Sequence, residues 1–358
     1  MMDKKLMLKY RSSIYSILNI VALYLFISSI KLDDLGANYF FTINLTASIS
    51  ILMGALFQSI NRRILDFLTI LFIITAFFSL HLALLMISAF IGLNASRSLA
   101  EIINRTRFDN RGFNSAIVVF IIYLIIIISF IFIRNFYDVL LSLFVLKLLS
   151  FIIDTKDNEV YEDYVRSRLL VKISFLVIWF VFIFIDTFST HILLTLGGAT
   201  SIIHNISILI SLIFMIIGGY YIDRFGRKTL LLFSYVYLGV IYAFISITEF
   251  IDIITLEGLV WGILTLLFLM VIWGDLCSSK ERPIFIALSL AIVLIDRMIM
   301  VVIPPIITIQ QLFSFISLFL FLSAFIILIL PETLPESVKK RRELCSYIKK
   351  AKKIKEEY

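Results

Sequence analysis

Charge is scarce in this chain: Asp, Glu, Lys and Arg make up 16% of its 358 residues, against 61% hydrophobic. A soluble globular domain carries about 25% charged residues, so that class is excluded. Cysteine is nearly absent, and the two present, Cys277 and Cys345, lack the neighbours of a metal or redox motif. No disulfide framework is expected. Histidine is as rare, and His81, His191 and His204 lack the spacing of metal ligands. There is no GxxxxGK[ST] phosphate cradle, which argues against ATP hydrolysis. No HExxH, paired-carboxylate or Ser/His grouping marks a catalytic centre. An enzyme is therefore not expected, nor a cofactor or a metal.

What the chain has instead is long apolar runs, with a mean hydropathy of +1.05. Measured against the roughly 20 residues that cross a hydrocarbon core, the runs fall at about 13–30, 39–60, 64–80, 82–98, 113–133, 136–153, 172–194, 200–222, 229–247, 255–276, 284–304 and 310–330. They are apolar around most of their circumference, and no alternating run is long enough for barrel strands. The sequence predicts an all-α integral membrane protein of twelve transmembrane helices. The basic stretch Met1 to Arg11 before the first run resembles a secretory signal, but no small-residue cleavage site follows Ile30, so a retained first helix is expected.

Lys and Arg are distributed one-sidedly. With the N-terminus inside, Lys31 and Arg134 fall in outer loops and Lys147 and Arg297 within helices, and the rest of the 32 lie inside. By the positive-inside rule both termini are cytoplasmic, in a multi-pass protein of the plasma membrane. The net charge of +7 is then a product of topology, and no nucleic-acid partner is implied.

The most specific motif is Gly219-Tyr-Tyr-Ile-Asp223-Arg224-Phe-Gly226-Arg227-Lys228, set between two apolar runs. It recurs in altered form as Gly54-Ala-Leu-Phe-Gln58-Ser59-Ile-Asn61-Arg62-Arg63. A loop repeated in this way signals an internal repeat. The polar stretch from Asp154 to Arg168 divides the runs six and six. Expected domains are a six-helix bundle at 1–153, a linker at 154–171, a second bundle at 172–330 and a basic tail at 331–358.

The repeated GxxxDRxGRK string resembles the loop between helices 2 and 3 of each half in the major facilitator superfamily. Two further loops, Glu101 to Gly112 and Trp273 to Pro283, are similar to that family's acidic-then-basic loops after helices 4 and 10. Leu330-Pro-Glu332-Thr333 resembles the close of its sugar-porter and organic-ion branches. The resemblance implies two pseudo-symmetric bundles that alternate access to a central site, with helices 1, 4, 7 and 10 of the halves lining it.

Within the second loop, Gly219 permits close helix approach and Gly226 a positive φ. Arg224, Arg227 and Lys228 mark the interface with phosphates. Asp223, a carboxylate among cations, is expected to meet the positive end of a helix from the other half, near Gly112 to Ser115. By resemblance this contact is a latch that holds the cytoplasmic side shut. In the first loop Gln58 replaces the acid and Asn61 the second glycine, so the reciprocal latch containing Gly54, Arg62 and Arg63, against the start of helix 11 near Pro283, is expected to be uncharged and the two latches unequal.

A charge inside a membrane helix costs about 2.5–3.5 kcal/mol on insertion scales, so each invites a role. Lys147, Asp186, Asp296 and Arg297 are the deep ones, with Asp66 and Glu257 nearer helix ends. Asp186 stands in a polar patch on a cavity-lining helix, where a carboxylate can exchange a proton or hold a cation; the alternative is a structural hydrogen bond or ion pair, for example with Arg297 or Lys147. Asp296 and Arg297 diverge by about 100° on a helix, so one can face the cavity while the other seeks a partner. Trp179 and Trp261 are candidates to stack on a substrate. The expected function is proton-coupled secondary transport of a small polar or cationic organic solute by a monomer in the lipid bilayer. A uniporter, or a non-transporting sensor or scaffold, is the alternative, prompted by the altered first loop and the absence of embedded charge from Leu82 to Asn94.

Overall fold

The computed structural model describes residues 4–30, 36–76, 78–133, 135–153, 165, 167–195, 199–248, 251–302 and 309–335, with scattered positions from 338 to 351. Among them the chain is helical, without a strand. The first half comprises α1 (Lys4–Ser29), α2 (Ala37–Leu56), α3 (Arg62–Thr75), α4 (Leu80–Asn104), α5 (Arg111–Phe132) and α6 (Phe136–Ile152). The second comprises α7 (Leu169–Thr195), α8 (Ala199–Phe225), α9 (Arg227–Thr248), the composite α10 (251–276), α11 (Arg282–Val302) and α12 (Ile309–Ile329). Eight of these helices are long and apolar enough to cross a membrane.

Helix ends follow local chemistry. Asn61, which replaces the second glycine of the motif, caps α3 by accepting from the Arg63 backbone N–H at 3.0 Å. Asn135 and Asp138 form a reciprocal capping box at the start of α6. Gly226 separates α8 from α9 with a φ of 102°, a conformation that a side chain resists.

Both faces of a single helix are apolar, but only one is covered. On α8, Leu209, Ile213 and Ile217 are exposed while Leu212, Met215 and Ile222 are buried. Uncovered apolar stripes of this kind require an apolar surrounding medium. Each half packs mostly on itself, as α2 on α4, α1 on α4 and α6, α8 on α10, and α9 on α12. The halves meet where α5 packs on α8 and α11 packs on α2.

Gly112 and Gly219 create the α5–α8 contact. A Cβ on Gly219 would stand 2.5 Å from that of Ala116, and one on Gly112 2.7 Å from the Gly219 carbonyl oxygen. Gly219→Leu is expected to force α5 off α8, with an overpacking penalty of about 1–3 kcal/mol. A lowered thermal midpoint of the purified protein checks this; an unchanged midpoint would mean that the helices do not need this approach.

Inside the first half, a charge pair is buried away from any opening. Lys147 of α6 donates to Asp66 of α3 at 2.9 Å and to Asn19 of α1. Asn94 of α4 completes the group, donating to Tyr15 at 2.8 Å and to Asn19 at 3.1 Å. These bonds tie four helices of the bundle together. Lys147 is therefore committed to Asp66 rather than to Asp186.

Candidate functional site

Two polar assemblies join the halves, one at the end that carries the linker and one deeper toward the opposite end. At the linker end, Asp223 closes α8 and accepts from the backbone N–H groups of Gly112 at 2.9 Å and Phe113 at 2.8 Å. Both donors belong to the first turn of α5, where unpaired N–H groups and the helix dipole favour an anion. This is the meeting that the motif led us to expect.

The centre of the assembly is the acid of the Trp273 to Pro283 loop, to which the sequence assigned no site role. Asp275, near the end of α10 and fully buried, accepts from Arg111 of the first half at 2.6 Å and from Arg227 of the second at 3.0 Å. Arg227 also pairs with Asp223 at 3.2 Å and donates to the Ile222 and Phe108 carbonyls. Thr333 donates to Asp275 at 3.3 Å, and Glu332 accepts from the Arg227 and Lys228 backbone N–H groups, capping α9. The linker joins too, through a 2.6 Å bond from the Val165 N–H to the Asp275 carbonyl. A third arginine crosses between halves, as Arg282 donates to Asn104 at 2.5 Å. Asp275 ends an apolar segment beside Trp273 and Gly274, and that lone acid was the available signal. Its two partners, 164 and 48 residues away, were not readable.

The remaining motif residues do other work. Arg224 is exposed and donates to Tyr220, and Lys228 donates to the Leu328 carbonyl at 2.6 Å. In the first loop, Gly54 lies against the Leu93 backbone of its own half, and Arg62 pairs with Glu101, which also holds Arg105. Gly54 and Arg62 thus serve the first bundle. For Arg63, the backbone N–H is taken by the Asn61 cap. Gln58 spans the halves there, with a 3.3 Å bond to the Lys280 carbonyl. The first loop offers a neutral amide where the second offers the Asp223 carboxylate, so the two loops differ as their sequences do. Near this contact Lys172 donates to Glu281 at 3.1 Å. Desolvation acts to raise the Glu281 carboxyl, but hydrogen bonds from Ser278 and Lys172 hold it below the usual range.

About 25 Å along α7 from the linker end, at 1.5 Å per residue, lies a cavity of about 140 Å³. Tyr123 of α5, Asp186 of α7, Ser207 and Ser211 of α8, and Glu257 and Trp261 of α10 line it. Gly258 and Gly262 set α10 against the α8 backbone at Ser207 and Ser211, which places these walls side by side. The Trp261 indole N–H donates to Asp186 at 2.9 Å, and the Tyr242 hydroxyl to Glu257 at 2.7 Å. A wide π turn at Leu267–Val271 interrupts α10 between this cavity and Asp275. Such turns shift helical register locally.

Asp296 is fully buried, with Thr187 of α7 as the polar neighbour of its carboxyl group. Asp186, Glu257 and Asp296 form no ion pair with a basic side chain among the described residues. Arg297 is turned away from them, donating to the Ile27 carbonyl at 2.9 Å and the Ile30 carbonyl at 3.4 Å, with its guanidinium over Phe40. The expected divergence of Asp296 and Arg297 thus has a use, since the second ties α11 to the end of α1. Trp179 requires correction as a substrate-stacking candidate. It is 1% exposed, donates to the Ser289 carbonyl and stacks on Phe268. Its large indole fills the space between α7, α10 and α11, away from the cavity. The side chains of His191 and His204 fall outside the described residues.

This arrangement of helices and inter-half contacts defines a protein with the major facilitator fold. The human organic anion transporter MFSD10 (TETRAN) is similar in structure, with a TM-score of 0.64 at 11% identity over 90% of this chain and 99% of that one. The proton:xylose symporter XylE also has a TM-score of 0.64, at 11% identity over 92% and 96% of the two chains. A bacterial homologue of the iron transporter ferroportin, in an outward-facing state, gives 0.59 at 13% identity over 91% and 97%. No family model matches the sequence, and no curated protein matches it.

Proposed function

We propose that the chain is a secondary transporter that carries a small polar or cationic organic solute across the membrane with the help of protons. In this reading all twelve helices cross the bilayer, the termini and linker are cytoplasmic, and the bundles 1–153 and 172–330 rock against each other within a monomer. The observation that carries it is the pairing of a cavity between the halves, lined by carboxylates without basic partners, with a buried ion network that bridges the halves at one end. Alternating access needs a site in the interior and a closable barrier on one side of it. The contacts of Asp223 and Asp275 supply that barrier on the cytoplasmic side.

Proton coupling rests on Asp186. Glu257 and Trp261 from α10, Asp296 from α11, Tyr123 from α5 and Tyr242 from α9 are the titratable and polar groups that face it. Purified protein in proteoliposomes with an imposed inward proton gradient is expected to accumulate a solute from a panel of sugars, organic cations and amino acids. Asp186→Asn should reduce gradient-driven accumulation at least about ten-fold while leaving the thermal midpoint close to that of the parent. Equilibration without accumulation in both proteins would remove the coupling and assign a uniporter. That second reading has its own support, because no charged side chain from the first half is among the described residues that line the cavity. Absence of flux for every solute class would overturn transport itself.

A further inference from the structure

We infer that the cavity beside Trp261 recognises a small organic ammonium ion, an inference that rests on the transport reading and names its substrate class. Its walls carry two kinds of group. Asp186 and Glu257 bring carboxylates from α7 and α10. Tyr123 and Trp261 bring aromatic rings from opposite halves, edge to face at 6.4 Å, and Tyr24 of α1 lies 6.1 Å from Tyr123. No Lys, Arg or His is among the described lining residues, and Arg297 is held at the end of α1.

These features discriminate among ligands. An anion would meet two carboxylates with no cation to screen them. At about 140 Å³ the cavity is well below the roughly 300–1,000 Å³ of drug-sized ligand sites, so its occupant has few heavy atoms and a hexose is disfavoured. A bare divalent metal takes six or more oxygen ligands, and no group of three or more His, Cys, Asp and Glu that could hold a metal occurs among the described residues.

An ammonium ion uses both kinds of wall. Its charge is attracted to the faces of Trp and Tyr, and its N–H groups can donate to carboxylates. The indole occupies one oxygen of Asp186 and the Tyr242 hydroxyl one of Glu257, so each carboxylate keeps a second oxygen for a ligand. An independent observation points the same way. Asp296, close enough to act electrostatically on Asp186, is fully buried with Thr187 as its polar neighbour and no basic side chain paired to it among the described residues. The interior of the second half thus gathers three carboxyl groups with no basic partner among the described residues, and a bound cation would supply one.

The test is equilibrium binding of radiolabelled methylammonium to the full chain in lipid nanodiscs, with tetramethylammonium, acetate, glucose and manganese(II) as competitors. Saturable binding displaced by tetramethylammonium alone is expected. Asp186→Asn and Glu257→Gln should each weaken it at least about ten-fold, and Trp261→Leu should weaken it more than Trp261→Phe, which keeps a π face. A purely structural Trp261 would not separate the last two. Displacement by acetate, glucose or manganese(II), or no methylammonium binding at all, would overturn the inference. Uptake of glucose or acetate without ammonium binding would remove it and leave the transport reading standing. Ammonium binding in a protein that moves no solute would keep the site and remove transport. Should Asp186→Asn fail to fold, Glu257→Gln and the competition series on the parent protein decide the matter.

Discussion

Asp275→Ala is expected to lower the stability of the purified protein more than Gly219→Leu does. The carboxylate is 0% exposed and lies between Arg111 and Arg227, which are 0% and 1% exposed. Removing it takes the paired carboxylate from buried Arg111 and leaves Arg227 with Asp223 alone, a loss of about 3–5 kcal/mol when one partner of a buried pair is deleted. Breaking the network and replacing it should have different consequences. In the double variant Arg111→Met/Asp275→Asn one stranded charge is gone, and Arg227 still has Asp223 at 3.2 Å. Its thermal midpoint should recover much of the loss. A single variant as stable as the parent would mean that water reaches these arginines, and that the barrier at this end is not closed.

Asp223→Ala is expected to open the same end without unfolding it. Two hydrogen bonds to a charged acceptor disappear, each worth about 1.5–3 kcal/mol, and 1.4 kcal/mol already shifts an equilibrium about ten-fold. Cys277 is a natural reporter of that opening. It is fully buried beneath the network, and burial pushes its thiol up to about 12, although Lys172 and Arg282 act to lower it. Alkylation requires the thiolate, so in the closed protein the reaction is slow at pH 8 and keeps accelerating as pH rises toward 12. Opening to water returns the thiol toward its ordinary value near 8.5. With Cys345 replaced by serine, Asp223→Ala should alkylate at least about ten-fold faster at pH 8, and its rate should level off at lower pH. Gln58→Ala, which loses one neutral bond worth about 0.5–1.5 kcal/mol, should show a several-fold smaller effect. Equal rates for parent and Asp223→Ala would refute the idea that this carboxylate holds the end shut.

The asymmetry of these two loops was legible in the sequence, because it depends on which residue types are present. A loop with Asp223 can engage the N–H groups of a helix, and a loop with Gln58 can offer only a neutral amide. Helix positions were legible for the same kind of reason. Apolar runs of about 20 residues have few folded alternatives in lipid, and the runs at 113–133 and 136–153 differ by no more than two residues at either end from α5 and α6. Departures occur where the chain leaves the apolar region. α4 continues to Asn104, beyond its expected end near residue 98, because Arg97, Glu101 and Arg105 find partners on neighbouring elements.

What the sequence determined by itself, then, was helical architecture and the location of the α5–α8 contact. These depend on local composition, on spacing along a helix and on a carboxylate's preference for a helix N-terminus. Only the tertiary structure decided which charges neutralise one another. Lys147 was matched with Asp66 rather than Asp186, Asp275 was set between two arginines far from it in the chain, and Arg297 was turned toward α1. It also decided that Trp261 borders a cavity while Trp179, an equally plausible aromatic in the sequence, fills the core. The physical reason is common to all of these. Pairing and burial of a side chain depend on the rotation and approach of helices that are distant in sequence, and those are set by packing of whole bundles, which no local pattern records.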